Sequence, residues 1–416
     1  MMDINFIRQN PEAVQKDAKD KGISVNVTNI INLDKQYRQL LASVQNMRQE
    51  RNIVSREKNI EKGRELKEKL EKEEKNLREK ENELNKLLMD VPNLPKPDVK
   101  TGKDESENEI LRKYKEPTKF IFAPLDHLEI GERLDIIDVP RAGKVSGTRF
   151  AYLKNEAVLL EFALVQLAME ILTKEGFTPV IPPVLIKREI TQGLGYWQAG
   201  GNEDYYLVNE SNQGQGFYLV GTAEHSIVPM HKDEIFMKKN LPKRYIAFSS
   251  AFRREAGSYG KDTRGILRVH QFDKIEMVSF VLEEEDDKEH EYLLSLEEKL
   301  FQLLNIPYQV VKMCTGDLGF PAARKYDIEA WMPGQKKYRE VTSVSTVTDF
   351  QSRRLNIKYQ DESGKKYVHI LNGTAFAIGR TIIAILENYQ QEDGSVVIPE
   401  VLKKFVPFSK ISPKNN

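Results

Sequence analysis

Between Ile30 and Val91 apolar residues return in alternating steps of three and four, twice over, and only long helices satisfy that spacing. Ile30, Leu33, Tyr37, Leu40, Val44, Met47, Arg51 and Val54 form the first seam. Leu66, Leu70, Glu73, Leu77, Lys80, Leu84, Leu87 and Val91 form the second. Each is a heptad stripe of the kind that packs one helix along another. Ser55–Glu65, which holds Gly63, interrupts both and is read as the turn. Two helices of roughly 28 residues, each about 40 Å long, are expected to pair antiparallel as a coiled coil over about 28–91. The charged seam positions Arg51, Glu73 and Lys80 weaken the packing, so flexibility is expected toward the tip. Eleven Lys/Arg and ten Glu crowd between Arg56 and Lys86. That run is either a solvated face or an arm offering Arg38, Arg48, Arg51, Arg56 and Lys58 to a phosphate backbone.

The chain of 416 residues leaves room for more than this hairpin. Three prolines within Pro92–Pro97, followed by polar residues, read as a linker. The expected division is therefore 1–105 for a helical arm domain with its linker and 106–416 for a second domain. Lys+Arg and Asp+Glu balance at 63 each, so nucleic acid would have to meet a local patch rather than a global field. A single cysteine, Cys314, excludes an internal disulfide and a Cys-rich zinc site, and favours a reducing compartment. The N-terminus lacks a basic region leading into an apolar one, and no apolar run is long enough to span a bilayer. A cytoplasmic protein without membrane contact is expected.

Beyond Tyr114 the pattern is mixed. Tyr152–Glu175 has helical spacing and Gly176 as a stop, and Phe177–Ile186, broken by three prolines, suits an edge or bulged strand. Strand-like runs follow at Phe217–Gly221, Arg244–Phe252, Gly265–Val281, Ile306–Val311, Tyr326–Trp331 and Lys337–Ser345, with a helix at Gly373–Gln391. Two of these strands follow each other between Phe236 and Phe280 without a crossover helix, which implies an antiparallel pair.

Much familiar chemistry is missing. There is no phosphate-binding G-x-x-x-x-G-K-[ST], and the Gly193/Gly195 and Gly214/Gly216 clusters lack the helix that a dinucleotide site needs. The six histidines show no metal-ligand spacing, and no serine elbow is present. Arginines and carboxylates remain. In Phe252–Met277 (FRREAGSYGKDTRGILRVHQFDKIEM), alternation places Arg253 and Glu255 on one strand face, and His270, Phe272, Lys274 and Glu276 on another. A ring to stack a base, an arginine for phosphate and carboxylates for amino groups suit a nucleotide. A hairpin with a charged solvent face would show the same pattern.

That segment resembles motif 2 of the class II aminoacyl-tRNA synthetases, and RVHQFDKIE is similar to the seryl-tRNA synthetase family in particular, of bacterial type. Gly373–Arg380 (GTAFAIGR) looks like motif 3, and Gly176–Pro183 (GFTPVIPP) like the dimer-forming motif 1. Gly221-Thr-Ala-Glu-His matches the family's serine-binding Thr-x-Glu, and Arg339-Glu-Val-Thr-Ser343 its ATP segment. Thr348–Arg354 (TDFQSRR) and the N-terminal arm complete a resemblance over essentially the whole chain. It implies an α+β fold: a class II antiparallel sheet flanked by helices, with the two-helix coiled-coil arm at the N-terminus. It also implies a homodimer.

The activity implied is ATP-dependent activation of L-serine and its transfer to tRNA(Ser), with tRNA(Sec) as a second candidate acceptor. Carried over, Arg253 and Arg380 are the catalytic arginines on the phosphates. Thr222, Ala223, Glu224, Glu276 and Thr374 line the serine pocket. Arg254, Glu255, Val269, Phe272, Glu340, Val341, Thr342 and Ser343 join the two arginines around ATP, with Glu340 and Ser343 on Mg2+. The chain departs from the usual pattern at Ser345-Thr346-Val347, and at Thr374, where serine is frequent. His225 is read as structural. Three other readings stand beside this one: an adenylating enzyme that loads a carrier protein, a catalytically inactive paralogue that binds tRNA or regulates, and a coiled-coil scaffold.

Overall fold

The computed structural model describes residues 1–57, 59–198, 201–208, 216–256 and 264–414, and divides into two compact units, Met1–Leu94 and Pro95–Asn416. In the first unit, short helices Ile4–Gln9 and Pro11–Asp20 precede α1 (Val27–Arg56) and α2 (Ile60–Met89). Cross-links Tyr37–Glu81, Arg48–Glu74 and Glu50–Lys62 fix the long helices antiparallel. The turn is far shorter than the expected Ser55–Glu65. Asn59 caps α2 by accepting from the Lys62 amide at 3.1 Å, and Gly63 sits inside the helix against Val54. A Cβ added there would meet Val54 only at 3.8 Å, an ordinary van der Waals distance, so the helix carries the glycine without a steric need for it.

At its base the hairpin closes a small core of Ile7, Val14, Val27, Ile30, Leu33, Leu84, Leu88 and Val91. Toward the tip, Val44, Val54, Leu66 and Leu70 are again buried. Between these zones Tyr37, Leu40, Glu73, Leu77 and Lys80 are only half-buried. Half-buried and charged seam positions therefore alternate with buried ones along the pair, and Arg51 near the tip is exposed.

The second unit is built on eight strands. In chain order they are β1 (Glu109–Tyr114), β2 (Thr178–Val180), β3 (Lys243–Phe252), β4 (Gln271–Val281), β5 (Tyr308–Lys312), β6 (Arg324–Met332), β7 (Lys337–Thr346) and β8 (His369–Ala377). Across the sheet they run β1-β5-β6-β7-β8-β4-β3-β2. Every pairing is antiparallel except β2 with β3. Helices α3 (Glu156–Lys174), α4 (Asp286–Leu303) and α5 (Ile378–Tyr389) bury one face of the sheet in a single core. On the other face a second core, which includes Tyr245, Ala247, Val278, Phe280 and Ile370, covers part of the sheet. No helix among the described residues is long and apolar enough to cross a membrane.

Several sequence expectations shift. Helix α3 stops as expected, with Gly176 at φ +87°. The segment after Pro95 does not hang free as a linker. The Lys96 amide donates to the Ala323 carbonyl at 2.8 Å, and Asp98 meets both Lys312 and Arg324. These contacts hold the stretch on the second unit through a turn closed by the Val99 amide on the Lys96 carbonyl, and the break falls at Leu94/Pro95, ahead of residue 105. Gly373–Ala377 belongs to β8 and not to a helix, because Thr374 pairs with Glu276 in the ladder. Strand β4 begins at Gln271, later than Gly265, whose φ of +72° ends any extended run.

Candidate active site

Two bulges shape the open face of the sheet. In β6–β7 the register shifts between Ile328 and Glu329, leaving Val341 unpaired. Glu340 and Ser343 lie three residues apart, so a regular strand would turn them to opposite faces. The extra residue brings both to the face that carries Glu329 and Asp327, their cross-strand partners. In β4–β8 the register shifts at Ile275/Glu276 and Ala375 is the unpaired residue. Thr374 then stands opposite Glu276, its hydroxyl 3.4 Å from the carboxylate. Plain alternation does the rest: Phe272, Lys274 and Glu276 project together, and the Lys274 Nζ lies 2.6 Å from Glu276.

Arg253 follows the last residue of β3. Its Nε donates to the Gly221 carbonyl at 3.1 Å, and its guanidinium lies 5.5 Å over the Phe272 ring. Glu255 is not the strand neighbour that alternation suggested. It has turned into the left-handed region (φ +52°), and its carboxylate accepts from Arg268 at 2.8 Å. Arg254 points to solvent, while Val269 is half-buried against the core. Arg380, in the first turn of α5, donates through Nη1 to the carbonyl and the carboxylate of Glu340, at 2.9 and 3.0 Å. Burial acts to raise the Glu340 carboxyl, but Arg380 and Lys325 outweigh it and bring it down to about 2. Glu340 therefore stays ionised.

Glu224 is the opposite case. It is 2% exposed, and burial, with the charge of Glu276 adding, pushes its carboxyl up to about 7 against hydrogen bonds from Gln351 and Tyr196. Beside it the Thr222 hydroxyl is buried with no hydrogen-bond partner among the described residues. Ala223 is fully buried, so only its backbone could face a ligand. Val341 and Thr342 are likewise turned inward: Val341 lies in the core, and the Thr342 hydroxyl donates to Glu297 at 2.7 Å. Their side chains are not part of the open face.

His225 accepts the Gly221 amide through Nδ1, and burial depresses its pKa, so it is a neutral structural residue. The departures at 345–347 have local uses. Thr346 donates to Asp286 at 2.6 Å, and Val347 is core. Sequence reasoning passed over Arg268, Asp327, Tyr196 and Gln351. The alternation of Asp327 and Glu329 along a strand was a usable signal, whereas Tyr196 and Gln351 reach Glu224 from far along the chain and gave none.

In the arm, Arg38 is held by Asp34 at 2.9 Å and Arg48 by Glu74 at 2.8 Å. Arg51 and Arg56 are exposed, and Lys58 lies outside the described residues. No group of three or more His, Cys, Asp or Glu among the described residues is arranged to hold a metal by itself.

Comparison with known proteins places this geometry. Residues 206–389 match the tRNA synthetase class II core domain (G, H, P, S and T), and residues 1–95 match the seryl-tRNA synthetase N-terminal domain. A serine–tRNA ligase of Dictyoglomus turgidum is 45% identical over 428 residues, covering 100% of both chains. Among solved structures, seryl-tRNA synthetase from Pyrococcus horikoshii complexed with ATP superposes with a TM-score of 0.93 at 40% identity, covering 100% of each chain. The cytoplasmic serine–tRNA ligase from Naegleria fowleri in complex with AMP gives 0.90 at 31% identity, covering 100% of this chain and 99% of that one.

Proposed function

The chain belongs to the seryl-tRNA synthetase family, class II enzymes that activate serine and charge tRNA(Ser), and from that premise we propose how its residues divide the work. Arg253 and Arg380 neutralise the phosphates of ATP. Phe272 stacks on the adenine, and Glu255, braced by Arg268, accepts from its amino group. Thr222, Glu224, Glu276 and Thr374 enclose serine, whose ammonium and hydroxyl supply the donors that these oxygens lack. The serine carboxylate attacks the α-phosphorus in line, pyrophosphate leaves, and the seryl group then passes to the terminal ribose of the tRNA. Positioning and charge neutralisation suffice for such a displacement, which fits a face without a general base.

Glu340 and Ser343 would hold Mg2+. One ionised carboxylate and one hydroxyl on the same face leave most of the shell to water and phosphate oxygens, the habit of magnesium in nucleotide sites. When bound, the ion neutralises phosphate charge. A homodimer is supported by the edge strand β2 and by exposed Ile181 (83%), Phe162 and Leu159 in the same unit. The arm would meet tRNA(Ser), with tRNA(Sec) as a second candidate, through phosphates and shape, with Arg51 and Arg56 more available than the ion-paired Arg38 and Arg48. The cytoplasm is the expected location.

The observation that carries the reading is the convergence of Arg253, Phe272, Glu276, Thr374, Glu340 and Ser343 on one sheet face by way of two bulges. An inactive paralogue has no reason to keep that convergence. Amino-acid-dependent pyrophosphate–ATP exchange across all twenty amino acids is the test. Exchange with serine alone, reduced at least about 100-fold in Arg253→Ala, is expected. Exchange that survives the substitution contradicts the assignment of Arg253, and exchange with another amino acid overturns the pocket.

A further inference from the structure

We infer that Tyr196 and Gln351 are positioning residues of the serine pocket, gripping the Glu224 carboxylate so that its charged form is favoured and aimed at the amino acid. The inference rests on the reading above that Glu224 meets serine. The Tyr196 hydroxyl lies 3.1 and 2.9 Å from the two Glu224 oxygens. The Gln351 Nε2 donates to Glu224 at 2.9 Å and to the Leu194 carbonyl at 3.1 Å. The Leu194 carbonyl can only accept, which fixes which end of the amide faces Glu224. A carboxylate shut away from water keeps its charge only through such donors.

The glycines at 193 and 195, which had no role as a dinucleotide motif, explain how the grip is built. A side chain at Gly193 would sit 2.2 Å from Leu355, and one at Gly195 (φ +85°) would sit 2.8 Å from Phe350. The turn therefore lies flat on the short helix Phe350–Leu355, which itself carries Gln351. Two distant segments are locked together and present their donors to one carboxylate. The Gln351 Oε1 and the Thr222 hydroxyl are buried with no partner among the described residues, leaving polar groups for a polar ligand to complete. Tyr205, Glu276 and Lys274 also act on Glu224, and His225 beside it is neutral.

Serine capture weakens as pH falls and Glu224 takes up a proton. Removing a donor to the carboxylate makes that proton easier to add, so the loss begins at higher pH. The experiment is pyrophosphate exchange with L-serine at pH 6 to 9 for Tyr196→Phe and Gln351→Met, with thermal unfolding to certify the fold. For Tyr196→Phe the KM for serine should rise about tenfold over wild type near neutral pH, with kcat and the KM for ATP within about twofold. The ratio to wild type should shrink toward pH 9, and Gln351→Met should move the same way. A ratio that is constant with pH, or no change in KM, overturns the inference. Glu224→Gln separates the two levels. If it leaves the serine KM unchanged, the pocket reading itself fails. If it raises KM while both donor variants behave as wild type, only the grip is lost.

Discussion

The arm and the sheet are stabilised in different ways, and the difference decides how each can be changed. In the arm, one side chain in several is buried along each long helix, and surface ion pairs such as Arg48–Glu74 and Lys62–Glu50 decorate the rest. Such pairs contribute about 0–1 kcal/mol each, so most arm positions tolerate substitution. In the sheet, function depends on register. Shifting β7 by one residue would turn Glu340 away from the face it shares with Glu329 and hide it in the core. A helix pair carries its function on an exposed stripe, whereas this sheet carries it in two irregularities.

The most damaging way to probe that contrast is to insert an alanine between Thr342 and Ser343. With the bulge at Val341 kept, Glu340 and Ser343 would then point to opposite faces, and serine-dependent exchange should fall about a thousandfold or more, while helicity of the arm persists by circular dichroism. Leu70→Ala is the counterpart in the arm. Leu70 is 2% exposed, and its truncation should cost about 2–4 kcal/mol of arm stability. The KM for tRNA should rise, while exchange, which needs no tRNA, stays at the wild-type rate.

A smaller effect is expected from Asp34→Asn. Burial acts to raise the Asp34 carboxyl, but hydrogen bonds from Arg8 and Arg38 prevail and hold it below its ordinary value. Its stabilisation is therefore complete above about pH 4 and is lost as pH falls through the folded-state pKa. Thermal melts should place the variant about 1–2 kcal/mol below wild type at pH 7, with the two converging in acid. Least of all, Arg56→Ala should raise the KM for tRNA about twofold to fivefold and flatten its salt dependence. A loss of exchange in Leu70→Ala or Arg56→Ala would break the separation between the two regions.

The helix pair was legible because heptad spacing repeats over eight positions per helix, and only its turn was overestimated. A glycine reads as a breaker in sequence, yet Gly63 lies within α2, and the cap at Asn59 carries the boundary. The strands were legible by alternation, as at Phe272, Lys274 and Glu276. Alternation failed where the chain leaves the ladder: at Glu255, which turned to positive φ, and at Val341 and Ala375, whose bulges leave no mark on the hydrophobic pattern. The resemblance to the family, not the periodicity, supplied Glu340 and Ser343 together. Tyr196 and Gln351 were invisible because they meet Glu224 across 28 and 127 positions, and contacts at such separations have no local signature.

A crystal structure of the full-length protein with a non-hydrolysable seryl-adenylate analogue would test most directly the claim that the two bulges assemble one serine-activating face. The account predicts the seryl group between Glu224, Glu276 and Thr374, the adenine on Phe272, and the phosphate mimic at Arg253. Analogue density elsewhere, or a β7 strand paired without the bulge at Val341 and with Glu340 turned away, would contradict it.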